Sequence, residues 1–364
     1  MKRFEPYILN NKKYPHDEFL EFLKTKLESS ETKSYELKLY RFILDFFDEK
    51  VELEQFTSGT TGEPKRFVLR REAMISSAER TIEYFNLSSG NSILLCLPVN
   101  YIAGKMVVVR ALVGGLNLIT VEPKGNPLEG LTDPIDFVAM VPLQVFEAIK
   151  NPKSFRRIRT LIIGGGEIRP QIRAKIRTIK DCKIYESFAL TETYTHFAIR
   201  RLNGFLPEHS FTAMKDVQID TDERGCLLVN IPGVTEEYVI CNDMVEIVDN
   251  QHFRWLGRFD NIINSGGIKI IPEELEIKIQ GILGIAVILI GIPDEKLGQK
   301  LVLVAECSDE NADKSHWKEK LKSSLLKHEF PREFFCIRQF PRNKSMKLSR
   351  IELRKWVIEA HSND

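Results

Sequence analysis

The sequence predicts an α/β fold, with a large N-terminal domain built on a mainly parallel sheet and a smaller α+β domain at the C-terminus. Strand-like and helix-like segments alternate from residue 57 to about 184, which is typical of βαβ units with a ligand crevice at the carboxyl ends of the strands. Short β-rich pieces separated by turn residues follow between residues 214 and 255, and indicate a β-rich subdomain. A compact mixture of helices and strands begins after Gly257. We therefore expect domains at residues 1–257 and 258–364.

The individual elements follow from the spacing of apolar residues. Residues 1 to about 50 have apolar side chains at helical spacing and are expected to be helical. In the alternating region we expect helices at 72–84, 103–112, 142–149 and after 169, and strands at 93–97, 116–120 and 160–163. In the C-terminal region we expect helices at 272–279, 314–327 and from 349 onward, and strands at 286–290, 300–305 and 334–337.

The composition is that of a soluble globular protein, with 364 residues, 43% hydrophobic and 28% charged. The 52 basic and 51 acidic side chains give a net charge of +1, so no overall field favours nucleic acid or an anionic membrane. The longest apolar stretch, residues 282–292, is shorter than the roughly 20 residues of a membrane-spanning helix. The N-terminus lacks a signal-peptide pattern, and the six scattered cysteines show no CxxC spacing. Reduced thiols and a cytoplasmic location are therefore expected.

The most informative segment is Thr-Ser-Gly-Thr-Thr-Gly-Glu-Pro-Lys at residues 57–65. Glycine lets backbone N–H groups approach a ligand, and hydroxyls and a lysine add donors, which suits polyphosphate. The spacing does not fit a Walker loop, and an ordinary polar surface turn is the alternative. The string resembles the phosphate loop of the acyl-adenylate-forming enzymes. That resemblance implies that the β- and γ-phosphates of ATP are bound by Thr57, Ser58, Gly59, Thr60, Thr61, Gly62 and Lys65.

Two more motifs of that family follow in order. Gly164, Gly165, Gly166 and Glu167 resemble the glycine-rich segment that lies against the adenine. Residues 185–192 resemble the aromatic-Gly-x-Thr-Glu motif, with alanine in place of the glycine. The resemblance implies that Thr191 bonds the α-phosphate and that Glu192 ligates Mg²⁺, a cation that prefers oxygen ligands.

The next motifs carry the ribose contacts and the hinge of the family. Asp243 stands where the family has the Asp that accepts both ribose hydroxyls. Gly257 to Asp260 resembles the Gly-Arg-x-Asp hinge, which implies that Arg258 contacts the ribose and that Asp260 is the pivot of a mobile C-terminal domain. Gly266 and Gly267 belong to a segment that resembles the lining of the CoA thiol tunnel.

The last motif, residues 341–350, resembles the family's Pro-Arg-x-x-Ser-Gly-Lys-x-x-Arg, with Met346 in place of the glycine. It implies that Lys347 stabilises negative charge as a carboxylate attacks the α-phosphate, a task that suits an ammonium group. A solvated basic turn is the alternative for this segment taken alone. The resemblance covers residues 56–356, and only about 55 residues precede the phosphate loop. It therefore implies a shortened version of the family.

The segment that follows Leu97 and contains Tyr101 bears on which acid is activated. Tyr101 replaces a histidine that binds the aromatic part of the substrate in many family members. This segment, the short leader and the hinge run resemble the compact bacterial o-succinylbenzoate-CoA ligases of menaquinone biosynthesis. That acid is a dicarboxylate, so a cation is expected near the carboxylate that does not react. The candidates are Lys105, Arg110, His196 and Arg200. The alternatives are a helix cap or a surface ion pair for Arg110, a structural role for His196, and a core or rim aromatic with an exposed hydroxyl for Tyr101.

The resemblance implies an ATP-dependent acid–CoA ligase that forms an acyl-AMP and then a thioester, with Mg²⁺ as cofactor. Its partners are then small molecules: a carboxylic acid, ATP and CoA. Three alternatives stay open: another aryl- or fatty-acyl-CoA ligase, an adenylating enzyme that loads a carrier protein, and a nucleotide-binding protein that has lost the chemistry. The presence of Lys65, Glu192 and Lys347 argues against the last of these.

Overall fold

The computed structural model describes residues 5–57, 65–190, 192–205, 208–308, 314–342 and 348–362. The chain divides into two compact units. Unit 1 comprises Met1–Ile219, Val229–Val239 and Val248–Phe253, and unit 2 comprises Asp220–Leu228, Ile240–Ile247 and Arg254–Asp364. The expected domain boundary at residue 258 remains a prediction.

The first part of the chain supplies six helices and eleven strands among the described residues. The helices are α1 (His16–Glu28), α2 (Ser34–Phe47), α3 (Arg71–Tyr84), α4 (Ile102–Gly114), α5 (Pro142–Ala148) and α6 (Pro170–Thr178). The strands are β1 (Tyr7–Leu9), β2 (Lys12–Tyr14), β3 (Leu53–Thr57), β4 (Lys65–Leu69), β5 (Ser92–Leu95), β6 (Asn117–Thr120), β7 (Ile135–Met140), β8 (Ile158–Ile163), β9 (Lys183–Ala189), β10 (His196–Arg201) and β11 (Phe211–Ala213). Four further strands contribute residues to both units: β12 (Gln218–Thr221), β13 (Cys226–Asn230), β14 (Val239–Ile247) and β15 (His252–Arg258).

The main sheet has the strand order β2-β1-β6-β5-β7-β8-β9-β10-β11-β15-β14-β13-β12. The pairs β1·β6, β5·β6, β5·β7, β7·β8 and β8·β9 are parallel, whereas β9·β10 and β10·β11 are antiparallel. Parallel strands end at the same edge, so the residues that follow β7, β8 and β9 lie side by side. The predicted α/β class is confirmed, but the sheet is mixed: its parallel part runs from β1 to β9 in the strand order, and β1·β2 and β11·β15 are also antiparallel.

The helices around this sheet form where apolar residues repeat at helical spacing. In α2, Leu39, Phe42, Ile43 and Phe46 are all buried, which is the stripe of an amphipathic helix. Helix α4 differs, because every residue from 106 to 112 is buried. A helix that is buried all round belongs to the core, so the single charged residue in this stretch, Arg110, lies in the interior of unit 1.

The start of the chain departs from the expected helical structure. Residues 7–14 form the β1–β2 hairpin, in which Leu9 pairs with Lys12 across the turn residues Asn10 and Asn11. Both asparagines have positive φ, 47° and 68°, a conformation that Asn tolerates and that two-residue hairpin turns require. The expectation of helix from residue 1 was therefore wrong for this segment, although α1 and α2 follow it.

Unit 2 contains a small five-stranded sheet covered on both faces. Its further elements are β16 (Ile263–Ser265), β17 (Ile268–Ile270), α7 (Pro272–Leu283), β18 (Val287–Asp294), β19 (Gly298–Glu306), α8 (Ser315–Lys322), β20 (Glu333–Ile337) and α9 (Arg350–Ser362). One core cluster joins this sheet to α7 and α8 through Ile279 and Leu321. The other joins it to α9 through Leu353 and Val357. The predicted α+β character of the C-terminal region is thus observed.

Candidate functional site

The predicted phosphate loop connects two paired strands. Thr57, the last residue of β3, pairs with Lys65, the first residue of β4. The hairpin therefore brings the two ends of the loop together. Ser58, Gly59, Thr60, Thr61 and Gly62 lie outside the described residues, as do Thr191 and Lys347.

Lys105 is bound to the strand that leads into this loop. Its Nζ donates to the backbone oxygen of Glu54 at 2.5 Å and to Oε1 of Gln55 at 3.0 Å. The amide of Gln55 in turn donates to the backbone oxygen of Asn100 at 3.1 Å. Burial lowers the pKa of Lys105, and the nearby Glu54 offsets part of that effect. The contacts of Lys105 thus tie α4 to β3.

The glycine-rich segment begins directly after β8. A side chain at Gly164 would place its Cβ 2.4 Å from Oγ of Ser187, whose hydroxyl donates to the backbone oxygen of Ile163 at 3.1 Å. Gly165 has φ +80°, whereas a Cβ at Gly166 would meet only ordinary contacts with Pro142, 3.7 Å away. The hydroxyl of Ser187 thus limits the space at Gly164, and the backbone conformation favours glycine at position 165. The proximity of Gly164, Gly165, Gly166 and Glu167 to adenine remains a prediction.

Glu192 is exposed in the turn between β9 and β10, next to the carboxyl end of β9. Thr193 holds this turn, since its buried hydroxyl accepts from the N–H of Leu190 at 3.1 Å and faces the backbone oxygens of Leu190 and Thr195. Tyr194 follows with φ +62°, and its hydroxyl accepts from the N–H of Arg70 at 3.3 Å. Such a conformation is costly for a bulky residue and persists where the surroundings impose it. Sequence reasoning missed Thr193, although a hydroxyl beside the acidic residue was visible.

The structure connects two of the candidate substrate residues through Thr195. Arg110 is 2% exposed, and its Nη2 donates to Oγ1 of Thr195 at 2.7 Å. Nδ1 of the buried His196 lies 3.2 Å from the same oxygen. Nε of Arg110 is buried without a hydrogen-bond partner, and no carboxylate in the described part of the chain pairs with the guanidinium. Burial lowers the pKa of Arg110 to about 9, so it stays a cation at neutral pH.

Besides Lys105, described above, two more substrate candidates, Tyr101 and Arg200, occupy different surroundings. Tyr101, at the N-cap of α4, is 62% exposed. Arg200 donates to the carboxylate of Glu186 at 2.8 Å, and Arg173 donates to it at 2.9 Å. Burial alone would raise the pKa of Glu186, but the two guanidinium groups lower it below its ordinary value. Arg200 thus has a carboxylate partner within unit 1, in contrast to Arg110.

Three predicted residues converge within unit 2. Arg258 donates to Asp260 at 2.8 Å and lies 3.7 Å from Asp243. The indole N–H of Trp255 donates to Asp243 at 2.9 Å, and the amide of Asn242 donates to both carboxylate oxygens of Asp260 at 3.1 and 3.2 Å. Trp255 and Asn242 orient the two carboxylates and were not among the candidate residues predicted from the sequence.

Gly266 and Gly267 form the turn between β16 and β17. Ser265 pairs with Ile268 across them, and their φ values are +62° and +82°. A two-residue turn of this kind requires positive φ at both positions, which glycine adopts most easily. The turn geometry accounts for both glycines, and their contact with CoA remains a prediction.

Comparison with known proteins identifies the family. Residues 49–239, just over half of the chain, match the profile described as AMP-binding enzyme. The chain belongs to the AMP-binding enzyme family. Its fold is similar to the acyl-CoA synthetase (AMP-forming)/AMP-acid ligase II-like protein from Dyadobacter fermentans, with a TM-score of 0.62 and 31% identity over 92% of this chain and 97% of that one. ATP-bound MatB from Rhodopseudomonas palustris shares the fold alone, with a TM-score of 0.73 at 18% identity over 85% of this chain and 68% of MatB.

Curated relatives of this AMP-binding enzyme are acid–CoA ligases. The 2-succinylbenzoate–CoA ligase of Escherichia coli is 25% identical over 83% of this chain and 68% of its own length. The long-chain-fatty-acid–CoA ligase FadD13 of Mycobacterium tuberculosis is also 25% identical, over 82% of this chain and 66% of its own length. The protein is thus an AMP-forming acid–CoA ligase, the class that its motifs predicted, and ligases of this class use ATP and CoA. In the described residues, none of its helices is both long and apolar enough to span a membrane.

Proposed function

We propose that this AMP-binding enzyme converts o-succinylbenzoate to o-succinylbenzoyl-CoA, and that Arg110 binds the carboxylate that does not react. The observation that carries the proposal is the buried Arg110, which has a hydroxyl partner but no carboxylate partner among the described residues. A buried charge without a counter-charge is costly. A second anionic group on the substrate would supply the missing partner. A monocarboxylic acid with an apolar body has no such group.

In the first half reaction a carboxylate oxygen attacks the α-phosphorus and pyrophosphate leaves. We assign Lys65 and the loop of Thr57 to Gly62 to the leaving phosphates, and Lys347 with Thr191 to the reacting centre, where they align groups and offset charge. Asp243 and Arg258 are assigned to the ribose. In the second half reaction CoA thiol attacks the acyl carbon, and we assign Gly266 and Gly267 to its path and Asp260 to the hinge.

The chemistry of the residues also fits Mg²⁺. The described residues contain no group of three or more His, Cys, Asp or Glu side chains that could hold a metal, and Glu192 supplies one exposed carboxylate. Mg²⁺ is commonly bound by one or two carboxylates together with substrate phosphates. We therefore propose that Glu192 holds Mg²⁺ with ATP, where the ion would neutralise phosphate charge. The cytoplasmic location and the menaquinone pathway are part of the same proposal.

Pyrophosphate release measured over a panel of acids tests the substrate. The panel contains o-succinylbenzoate, two analogues that each lack one of its carboxylates, benzoate and a long-chain fatty acid. We expect o-succinylbenzoate to have the highest kcat/KM, with thioester formation dependent on free CoA. Preference for a monocarboxylate would favour another acyl-CoA ligase. Pyrophosphate release without thioester formation from free CoA would favour a carrier-loading enzyme. Absence of pyrophosphate release would favour a nucleotide-binding protein that has lost the chemistry.

The variant Arg110→Met tests the residue. A hydrogen bond to a charged group contributes about 1.5–3 kcal/mol, and about 1.4 kcal/mol corresponds to a factor of ten. We therefore expect kcat/KM for o-succinylbenzoate to fall about 10- to 100-fold relative to the analogue without the second carboxylate. Lys105→Met, on the same helix, is the matched control, since Lys105 is bound to β3. An equal loss of selectivity in both variants would refute the assignment to Arg110.

A further inference from the structure

A buried chain of hydrogen bonds runs from Arg110 through β10 to helix α3. Arg110 contacts Thr195, and Thr195 contacts Nδ1 of His196. Nε2 of His196 lies 3.4 Å from Oγ1 of Thr81, whose hydroxyl contacts the backbone oxygen of Ser77 at 3.1 Å. His196 is 6% exposed and Thr81 is fully buried. All of these groups belong to unit 1.

One polarity satisfies every donor and acceptor along these hydrogen bonds. A backbone oxygen only accepts, so the contact with Ser77 takes the single hydroxyl proton of Thr81. Thr81 then accepts from His196, which places the ring proton on Nε2. In a neutral imidazole the other nitrogen, Nδ1, is an acceptor, and it takes the hydroxyl proton of Thr195. The oxygen of Thr195 is thereby left to accept from Arg110, as its 2.7 Å distance indicates.

The surroundings keep the ring of His196 neutral. Burial, and then the positive charge of Arg110, lower the pKa of His196 well below its usual 6.5. A protonated ring would carry a hydrogen on Nδ1, and the Thr195 hydroxyl would lose the acceptor that orients it. The neutral ring is thus the state that matches the hydrogen bonds.

We propose that His196, as the Nε2-protonated neutral tautomer, is a positioning residue that orients Thr195 and thereby fixes Arg110 for the second carboxylate of the acid; this rests on the proposed function. Thr195 couples the two because its oxygen accepts from Arg110 while its proton goes to His196. Nε of Arg110 has no partner and is a donor that a substrate carboxylate would satisfy. His196 thus determines acid selectivity through Arg110.

Selectivity and tautomer together test this role. We expect His196→Phe to lower the ratio of kcat/KM for o-succinylbenzoate to that for the analogue lacking the second carboxylate by about tenfold, mainly through KM. His196→Asn, whose amide oxygen is within reach of the position of Nδ1, is expected to restore most of that ratio. If the role of His196 is purely structural, His196→Phe lowers kcat/KM for both substrates equally and leaves their ratio at the wild-type value. That result would overturn the proposal. An asparagine variant no more selective than the phenylalanine variant would also overturn it.

Nitrogen NMR of the His196 ring shows which nitrogen carries the proton and tests the proposed tautomer independently of the kinetic assay. We expect a protonated Nε2 and an unprotonated Nδ1 in wild-type protein without any acid, and a changed pattern in Thr81→Val, which removes the acceptor for Nε2. A ring protonated on Nδ1 in wild type would overturn the proposal, even if His196→Phe fails to fold. Wild-type preference for a monocarboxylate would instead refute the proposed function, because the tautomer is read without substrate.

Discussion

Arg350 forms a buried ion pair at the start of α9, three residues after Lys347. Its Nη1 and Nη2 each lie 2.7 Å from an oxygen of Glu276, which is 4% exposed. One of these oxygens also accepts from the N–H of Leu289 at 2.7 Å. We predict that Arg350→Met strongly destabilises unit 2, because it leaves the carboxylate of Glu276 buried without a counter-charge.

The expected loss is about 3–5 kcal/mol, the range for removing one partner of a buried pair. With a urea m-value of about 2 kcal/mol/M, the midpoint of unfolding falls by about 1.5–2.5 M. Tryptophan fluorescence suits the measurement, since the three tryptophans, Trp255, Trp317 and Trp356, all belong to unit 2. The assay therefore reports the unit that carries the ion pair.

Two further variants separate charge from packing. Arg354→Met makes the same substitution on an exposed position of α9 and is expected to change stability by less than about 0.5 kcal/mol. Glu276→Gln combined with Arg350→Met removes the buried charge and keeps an acceptor for the N–H of Leu289, so it is expected to recover most of the loss. A double variant as unstable as Arg350→Met alone would refute this reasoning.

Two other predictions concern stability. Gly164→Ala is expected to cost about 1–3 kcal/mol through overpacking against Ser187, whereas Gly166→Ala costs less than about 0.5 kcal/mol; thermal unfolding of both variants checks this, and equal costs would contradict it. Burial raises the pKa of Glu276 to about 7, with Arg350 offsetting part of the effect. The folded state then binds the proton more tightly than the unfolded state, so the contribution of this carboxyl to stability falls as pH rises from about 4.3 to 7. Unfolding measured between pH 5 and 8 should show a flatter dependence in Glu276→Gln than in wild type, and parallel curves would contradict the assignment.

Helices and strands in which apolar residues repeat at a clear spacing were predicted closely from the sequence. The helix expected at 72–84 is Arg71–Tyr84, and the strand expected at 160–163 is Ile158–Ile163. The strand Ile135–Met140 was missed, because a short apolar run does not distinguish a buried strand from part of a helix. The N-terminal hairpin was missed because its strands are only three residues long, and because β1 pairs with β6, which lies more than 100 residues away along the chain.

For the candidate site, too, the success of the prediction depended on how far apart the contacting residues lie in sequence. Contiguous motifs pointed to Asp243, Arg258 and Asp260, which the structure brings together in unit 2. The partners of Lys105 and Arg110 lie 50 and 85 residues away in sequence. No local pattern shows that one of these cations is bound to a strand and that the other is buried beside a hydroxyl. Choosing between them therefore required the fold.

The contrast between two buried charges in unit 1 explains why one is interpreted as structural and the other as a binding group. Glu186 accepts from Arg173 and Arg200, so its charge is balanced within the chain. Arg110 is buried more deeply than Glu186, but its described contact is a hydroxyl and its Nε has no partner. Removing one guanidinium from the network around Glu186 costs stability because the carboxylate loses part of its counter-charge, whereas an unbalanced cation gains from an added anion. Replacing Arg110 by methionine should therefore stabilise the protein without ligand while weakening its response to a dicarboxylate, the opposite of what an equivalent change at Arg200 would do.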